Sequence, residues 1–267
     1  GGCGWVAVGT GMGGSGAGLC NGMGRTTGCE GTYRGLWQLA RMARVKWCDD
    51  AIGMWLLAVL HRLNGYLAVG LLLAHAVFQT AGYMLGDGYS LIGQVADFVV
   101  NYEGLLAAIV ALALMVAVAG GSVAIARAHL SYETWYFIHL YAYIAVLLGF
   151  SHQLATGIDF IQQPVFTAYW IGLYLLLIAA VGWFRVASPL LAFNRHRFRV
   201  HRVAKEGPGV HSVHVRGRGL DRFDVRPGQF LVWRFLDGKR WWQAHPFSLS
   251  APANGRELRL TVKGIGD

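Results

Sequence analysis

His61 and His75 lie 14 residues apart in one apolar stretch, and His139 and His152 lie 13 apart in another. At about 1.5 Å of helical rise per residue, each spacing separates two imidazoles by roughly 20 Å. That is most of a hydrocarbon core about 30 Å thick. Two helices so marked, running in the same direction, present one histidine pair near each membrane face: His61 with His139, and His75 with His152. Bis-histidine ligation of haem iron is the chemistry such pairs suit best, because imidazole is a favoured haem ligand. The plainer reading is four core histidines, each hydrogen-bonded to a neighbouring carbonyl. Two matching depths argue against it, and ionisable side chains inside a membrane point to function.

Helical phase constrains the pairs further. Fourteen residues at about 100° each return within roughly 40° of one face, whereas thirteen leave about 140° between the two side chains. The second helix is therefore expected to bend, near Gly149, or to carry its two sites on different sides. His129 sits outside the apolar stretch and suits a surface role. Arg62 follows the first histidine and has two open readings, pairing with a haem propionate or snorkelling to the interface. The aromatic residues Trp135, Tyr136, Phe137, Tyr141, Tyr143 and Phe150 are explained by packing against lipid or a macrocycle.

The elements that must position these residues are membrane spans. The chain is 55% hydrophobic and 14% charged, against about 25% charged in soluble domains. Four spans are expected, near 52–83, 104–121, 134–152 and 168–186. Between Leu63 and Phe184 the only basic residue is Arg127, while residues 185–267 hold 16 of the 23 lysines and arginines. The positive-inside rule explains this charge and places residues 122–133 and both termini in the cytoplasm. No nucleic-acid-binding motif accompanies the basic block, so nucleic acid is not an expected partner; membrane lipid is. The connections 84–103 and 153–167 lack basic residues and are expected outside.

Residues 1–31 contain 13 glycines and read as low-complexity or poorly ordered chain. Gly9 to Gly14 matches G-x-G-x-x-G, without the helix and acidic residue a dinucleotide site needs. Residues 34–48 mix basic and apolar side chains as an interfacial helix does, or as the end of a degraded membrane span would. Cys3, Cys20, Cys29 and Cys48 suggest neither a zinc site nor a disulfide framework. From about Arg199 the period changes to alternation, with a turn at Gly207-Pro208-Gly209 and further strands expected at 229–235 and 258–263.

Three motifs close the chain: Arg226-Pro227-Gly228-Gln229-Phe230, then His245-Pro246-Phe247-Ser248, then Lys263-Gly264-Ile265-Gly266. With His61-Arg62-x-x-Gly65, His75, and Tyr132-Glu133-x-Trp135 leading to His139 and His152, they resemble the ferric reductase and NADPH oxidase superfamily over roughly residues 42–267. The resemblance implies a helical membrane bundle that binds haem, followed by an antiparallel β-barrel FAD-binding domain of the ferredoxin–NADP reductase type. It divides the chain into a Gly-rich region (1–41), a transmembrane domain (42–190) and a truncated flavin domain (195–267). Family members have six core spans and a nicotinamide domain, so the sequence reads as a fragment.

By the same resemblance His245, Pro246, Phe247 and Ser248 line the flavin, with the Ser248 hydroxyl near its reactive nitrogen. Lys263 and Gly266 approach the pyrophosphate, as a cation and a close glycine backbone suit phosphate. The implied activity is that of a membrane oxidoreductase. Electrons would pass from NAD(P)H through FAD and two b-type haems, held by His61, His75, His139 and His152, to a small-molecule acceptor. Ferric chelate, dioxygen, quinone and a partner protein are all open as acceptors. Alternatives are a haem conduit fed by a separate flavoprotein and a haem-free membrane scaffold or transporter.

Overall fold

The computed structural model describes residues 16–43, 51–123, 128–223, 225, 230–236, 238 and 243–264. They divide into two compact units, Gly1–Arg185 and Val186–Asp267.

The first unit is helical. It contains α1 (Gly16–Met42), α2 (Met54–Asp87), α3 (Leu91–Asn101), α4 (Leu105–Gly121), α5 (Tyr132–Thr156), α6 (Ile158–Gln162) and α7 (Pro164–Val181). A π-helical turn, Gly182–Ala187, then leads into α8 (Ser188–His196). Three stretches are long and apolar enough to cross a membrane: Trp55–Asp87, Glu133–Thr156 and Pro164–His196. The pair α3 and α4 makes a fourth if its 117° bend is counted within one span. Large apolar side chains face outward, Trp55 at 77% exposure and Val165 at 84%, as lipid-facing surfaces require. The chain is an integral membrane protein.

Local signals set the helix ends. Ser90 caps α3 by accepting from the Gly93 N–H, and Ser131 caps α5 by accepting from Thr134, each satisfying an otherwise orphaned donor. Pro164 opens α7, where its missing N–H costs nothing. Gly104, at φ +78°, makes the corner between α3 and α4, and a Cβ there would stand 3.2 Å from the Cα of His152.

Three expectations are corrected here. The glycine-rich start is not low-complexity coil from residue 16 onward: it is the 27-residue helix α1, antiparallel to α2. Its glycines make that close approach possible, since small residues let helix backbones near one another. The connection 84–103 is not plain loop, because α3 occupies Leu91–Asn101. Gln94, Asp97 and Asn101 share one side of α3 and bond to one another, while Ile92 and Val100 are exposed. Residues 34–42 continue α1 and are not a separate interfacial helix; residues 44–48 lie outside the described set, as does the glycine motif 9–14. Cys29 is disulfide-bonded.

The bundle core joins α1 to α7. Leu36, Trp170, Tyr174 and Leu177 are buried together, and Phe150 of α5 stacks on Tyr174 with ring centres 3.8 Å apart. Arg185 donates from Nε and Nη2 to the Met42 carbonyl at 2.9 and 2.6 Å, placing a cation at the C-terminus of α1, where the helix dipole favours it.

The second unit carries two small antiparallel sheets. One has the order β1 (Arg199–Gly207), β2 (Val210–Arg216), β5 (Glu257–Lys263); the other pairs β3 (Phe230–Trp233) with β4 (His245–Ser248). The turn expected at 207–209 is present, with Gly209 at φ +68°. Val215, Leu220, Leu258 and Leu260 form the apolar centre. The fold shown is a small antiparallel sheet region; a closed barrel is not.

Candidate paired-histidine centre

The four histidines meet in pairs between α2 and α5. The ring centres of His61 and His139 are 5.9 Å apart at an interplanar angle of 55°, and those of His75 and His152 are 6.5 Å apart at 58°. The two helices therefore run in the same direction. α5 is continuous through Gly149, so the thirteen-residue offset is met without a break: His139 and His152 approach α2 from different sides of α5.

Hydrogen bonding fixes which nitrogen of each ring is free. His75 Nδ1 lies 2.8 Å from the Gly24 carbonyl, which can only accept, so His75 carries its proton on Nδ1. His152 Nδ1 lies 2.8 Å from Thr156 Oγ1, whose own proton goes to the His152 carbonyl at 3.1 Å. His139 Nδ1 lies 3.3 Å from Ser122 Oγ, whose proton goes to the Val118 carbonyl at 2.7 Å. His75 is thus the donor at Nδ1, and the carbonyl bonds of Ser122 and Thr156 let His139 and His152 donate likewise, which leaves an Nε2 lone pair to ligate. His61 is the exception. Its Nδ1 is buried and closes no hydrogen bond, although the Gln38 backbone carbonyl is its polar neighbour.

α1 supports both histidines of α2. Gly24 reaches His75, and 14 residues later Gln38 donates from Nε2 to the His61 carbonyl at 2.5 Å. Asn64 completes the His61 end, accepting from Arg34 Nη1 at 3.2 Å and donating to the Arg34 carbonyl and Gln38 Oε1, both at 3.0 Å. Gly28 sits directly beneath the His75 ring. On α5, Trp135 packs against His139 with ring centres 5.1 Å apart.

Each pair has a spacing at which its two imidazoles would hold one metal ion between them. An imidazole nitrogen binds a transition metal at about 2 Å, so rings on opposite sides of one ion have centres roughly 6 Å apart. Among the described residues no three or more His, Cys, Asp or Glu side chains gather into a metal-binding group. Each pair thus offers two ligands and no equatorial set, which suits iron already held in a macrocycle better than a bare ion. Imidazoles oriented by outer hydrogen bonds are the donor set such a group needs.

The remaining sequence candidates fall elsewhere. Arg62 is exposed and, among the described residues, makes no hydrogen bond or ion pair. His245, Pro246, Phe247 and Ser248 form β4, in register with Trp233, Val232, Leu231 and Phe230. Pro246 and Ser248 are exposed, while His245 and Phe247 are half-buried and their rings lie near parallel, 12° apart in plane. Lys263 ends β5 and is exposed. Gly266 and residues 226–229 lie outside the described set.

Sequence reasoning missed Gly24, Gly28, Gln38, Ser122 and Thr156. A signal for the two glycines existed: Gly24, Gly28, Gly31 and Gly35 recur at intervals of four, three and four, a helical face of small residues.

Residues 28–150 match the model of the family described as ferric reductase like transmembrane component. No curated protein matches the chain. The matched segment begins at the glycine beneath His75 and includes His61, His75 and His139; His152 lies two residues beyond it.

Proposed function

From the match of residues 28–150 to the ferric reductase-like transmembrane family, we propose that this chain carries electrons across a membrane as a b-type flavocytochrome. One haem would be held by His61 and His139 and a second by His75 and His152. The observation that carries this reading is the meeting of two histidine pairs, at 5.9 and 6.5 Å, on two parallel apolar helices. A bound haem supplies a one-electron iron couple. The chain's part is to hold each ligand nitrogen toward the metal, keep it deprotonated and exclude water around it.

The outer hydrogen bonds divide that work. The Gly24 carbonyl, Ser122 and Thr156 each hold an Nδ1–H, which orients the ring and raises the basicity of Nε2. Fourteen residues of α2 separate the two sites by about 21 Å, so the pairs serve opposite halves of the hydrocarbon core. The basic residues that follow α7 support a cytoplasmic second unit under the positive-inside rule.

The flavin part of the proposal rests on sequence resemblance and on β4. Pro246 and Ser248 present one open side of a strand, which a planar ring system can lie against, and a hydroxyl there can donate to it. Lys263 and Gly266 are proposed for the pyrophosphate. Within this reading the donor is NAD(P)H, the activity is that of an oxidoreductase of the cytoplasmic membrane, and the acceptor is ferric chelate or dioxygen.

The test is pyridine haemochrome quantitation of the detergent-purified chain, with dithionite-reduced minus oxidised spectra. Two b-type haems per chain are expected, with His75→Ala and His139→Ala each losing one. A well-folded sample without haem absorbance sinks the proposal.

A further inference from the structure

Arg199 and Arg216 are directly paired across β1 and β2. Like charges at such a position destabilise a sheet, and two further arginines join them. Arg197, Arg199, Arg216 and Arg218 line one open hollow of about 320 Å³ together with Gly217. That is near the lower end of small-ligand sites, about 300–1,000 Å³.

The backbone holds this arrangement in place. Arg197 adopts φ +46°, the only non-glycine residue with positive φ among those described. Arg218 is fixed by its N–H to the His196 carbonyl at 2.6 Å, while His196 Nδ1 bonds the Arg218 carbonyl at 2.8 Å. Among the described residues none of the four arginines makes an ion pair. Glu257 lies across β2 from Arg216, but its carboxylate bonds His214 Nδ1 at 3.2 Å. Four guanidiniums therefore share one hollow, and the acid paired across the sheet from Arg216 makes its bond elsewhere.

Planar guanidiniums recognise phosphate through two parallel hydrogen bonds. A second hollow of about 120 Å³ adjoins the first, sharing Arg197 and Arg199 and adding Phe193, Asn194 and Phe198. An anion-binding cup beside an aromatic slot is amphiphilic. It also begins one residue beyond the end of the apolar helix Pro164–His196, the place in a chain where anionic headgroups attract basic side chains.

We infer that the Arg197, Arg199, Arg216 and Arg218 cup binds the phosphate of an anionic phospholipid, with the start of its apolar portion against Phe193 and Phe198. The bound anion relieves the Arg199–Arg216 repulsion. Neither haem nor flavin enters this argument.

The test uses the whole chain, delipidated in neutral detergent. Native mass spectrometry follows titration with short-chain phosphatidylglycerol, short-chain phosphatidylcholine or inorganic phosphate. One phosphatidylglycerol per chain is expected to bind in preference to phosphatidylcholine. Affinity should fall at least about tenfold in R199Q/R216Q, since charge-assisted bonds to the anion are lost. Phe193→Ala should weaken the lipid and leave phosphate unchanged. The lipid-free R199Q/R216Q chain should melt no lower than the parent, because a repulsion has been removed. Equal phosphatidylglycerol binding by parent and double variant overturns the site, as does a lower melting point of the lipid-free variant. Phosphate bound as tightly as the lipid, with Phe193→Ala without effect, overturns the lipid in favour of a free anion.

Discussion

The imidazole of His75 lies against Gly28 so closely that a methyl carbon at that glycine would stand 2.5 Å from Nδ1. No real Cβ tolerates such a contact, and His75 cannot retreat without breaking its bond to Gly24. Gly28→Ala is therefore expected to displace the ring and to cost the haem proposed at His75 and His152, leaving the one at His61 and His139. Gly35→Ala is the control: it lies on the same helix, and a Cβ there meets nothing within 4 Å. Haemochrome quantitation should read about one haem for the first variant and two for the second. Equal loading of both would contradict the close approach.

Thr156→Val keeps the shape of the side chain and removes the acceptor of the His152 Nδ1–H. Loss of such an outer bond costs roughly 10–100-fold in metal affinity. Redox titration of the purified chain should show one midpoint potential displaced and the other unmoved. Movement of both together would mean that Thr156 acts on the fold and not on its own histidine.

Arg185 ties the end of α1 to the π-helical turn that follows α7. Hydrogen bonds from a charged donor contribute about 1.5–3 kcal/mol, and Arg185 is only half-buried, so Arg185→Met should lower stability by about 1–2 kcal/mol. Denaturant unfolding in detergent would measure it. Arg185→Lys should recover only part of the loss, since an ammonium cannot match two guanidinium bonds to one carbonyl.

Glu257 titrates below the ordinary carboxylate range because His214 donates to it, with Arg216 and Arg202 adding to the effect against the opposing cost of burial. A depressed acidic group contributes stability above its unfolded value, and that contribution disappears as pH falls through the folded value. The parent should melt above Glu257→Gln at neutral pH. The gap should close as the solution is acidified past the ordinary glutamate range, about 4.3, toward the lower folded value. A gap that persists at the acid end would show that the carboxylate charge is not its source.

The histidine pairing was legible because helix rise converts sequence spacing into depth, and two helices of one direction can match depths in only one way. The spans of α2, α5 and α7 were legible for the same reason that lipid accepts them, sustained apolar length. α1 was not: glycine contributes almost nothing to hydropathy, and Arg25, Arg34 and Arg41 lower it further, so only the spacing of Gly24, Gly28, Gly31 and Gly35 marks the helix. α3 was hidden by reading 84–103 only as a connection without basic residues, although Gln94, Asp97 and Asn101 recur at helical intervals. The strand at His245–Ser248 was marked by the resemblance and not by alternation. Which of its sides is open was not, because that depends on β3 lying beside it.

The two contacts from α1 to the histidines of α2 are spaced identically on both helices, fourteen residues from Gly24 to Gln38 and fourteen from His61 to His75. Such a pair of helices meshes like a toothed rack. One extra residue between Gly24 and Gln38 would carry whichever contact is not retained about 1.5 Å along the axis and about 100° around it. The spacing within α1 is thus as constrained as the spacing of the histidines themselves, and neither site on α2 can be retuned from that side without putting the other out of step.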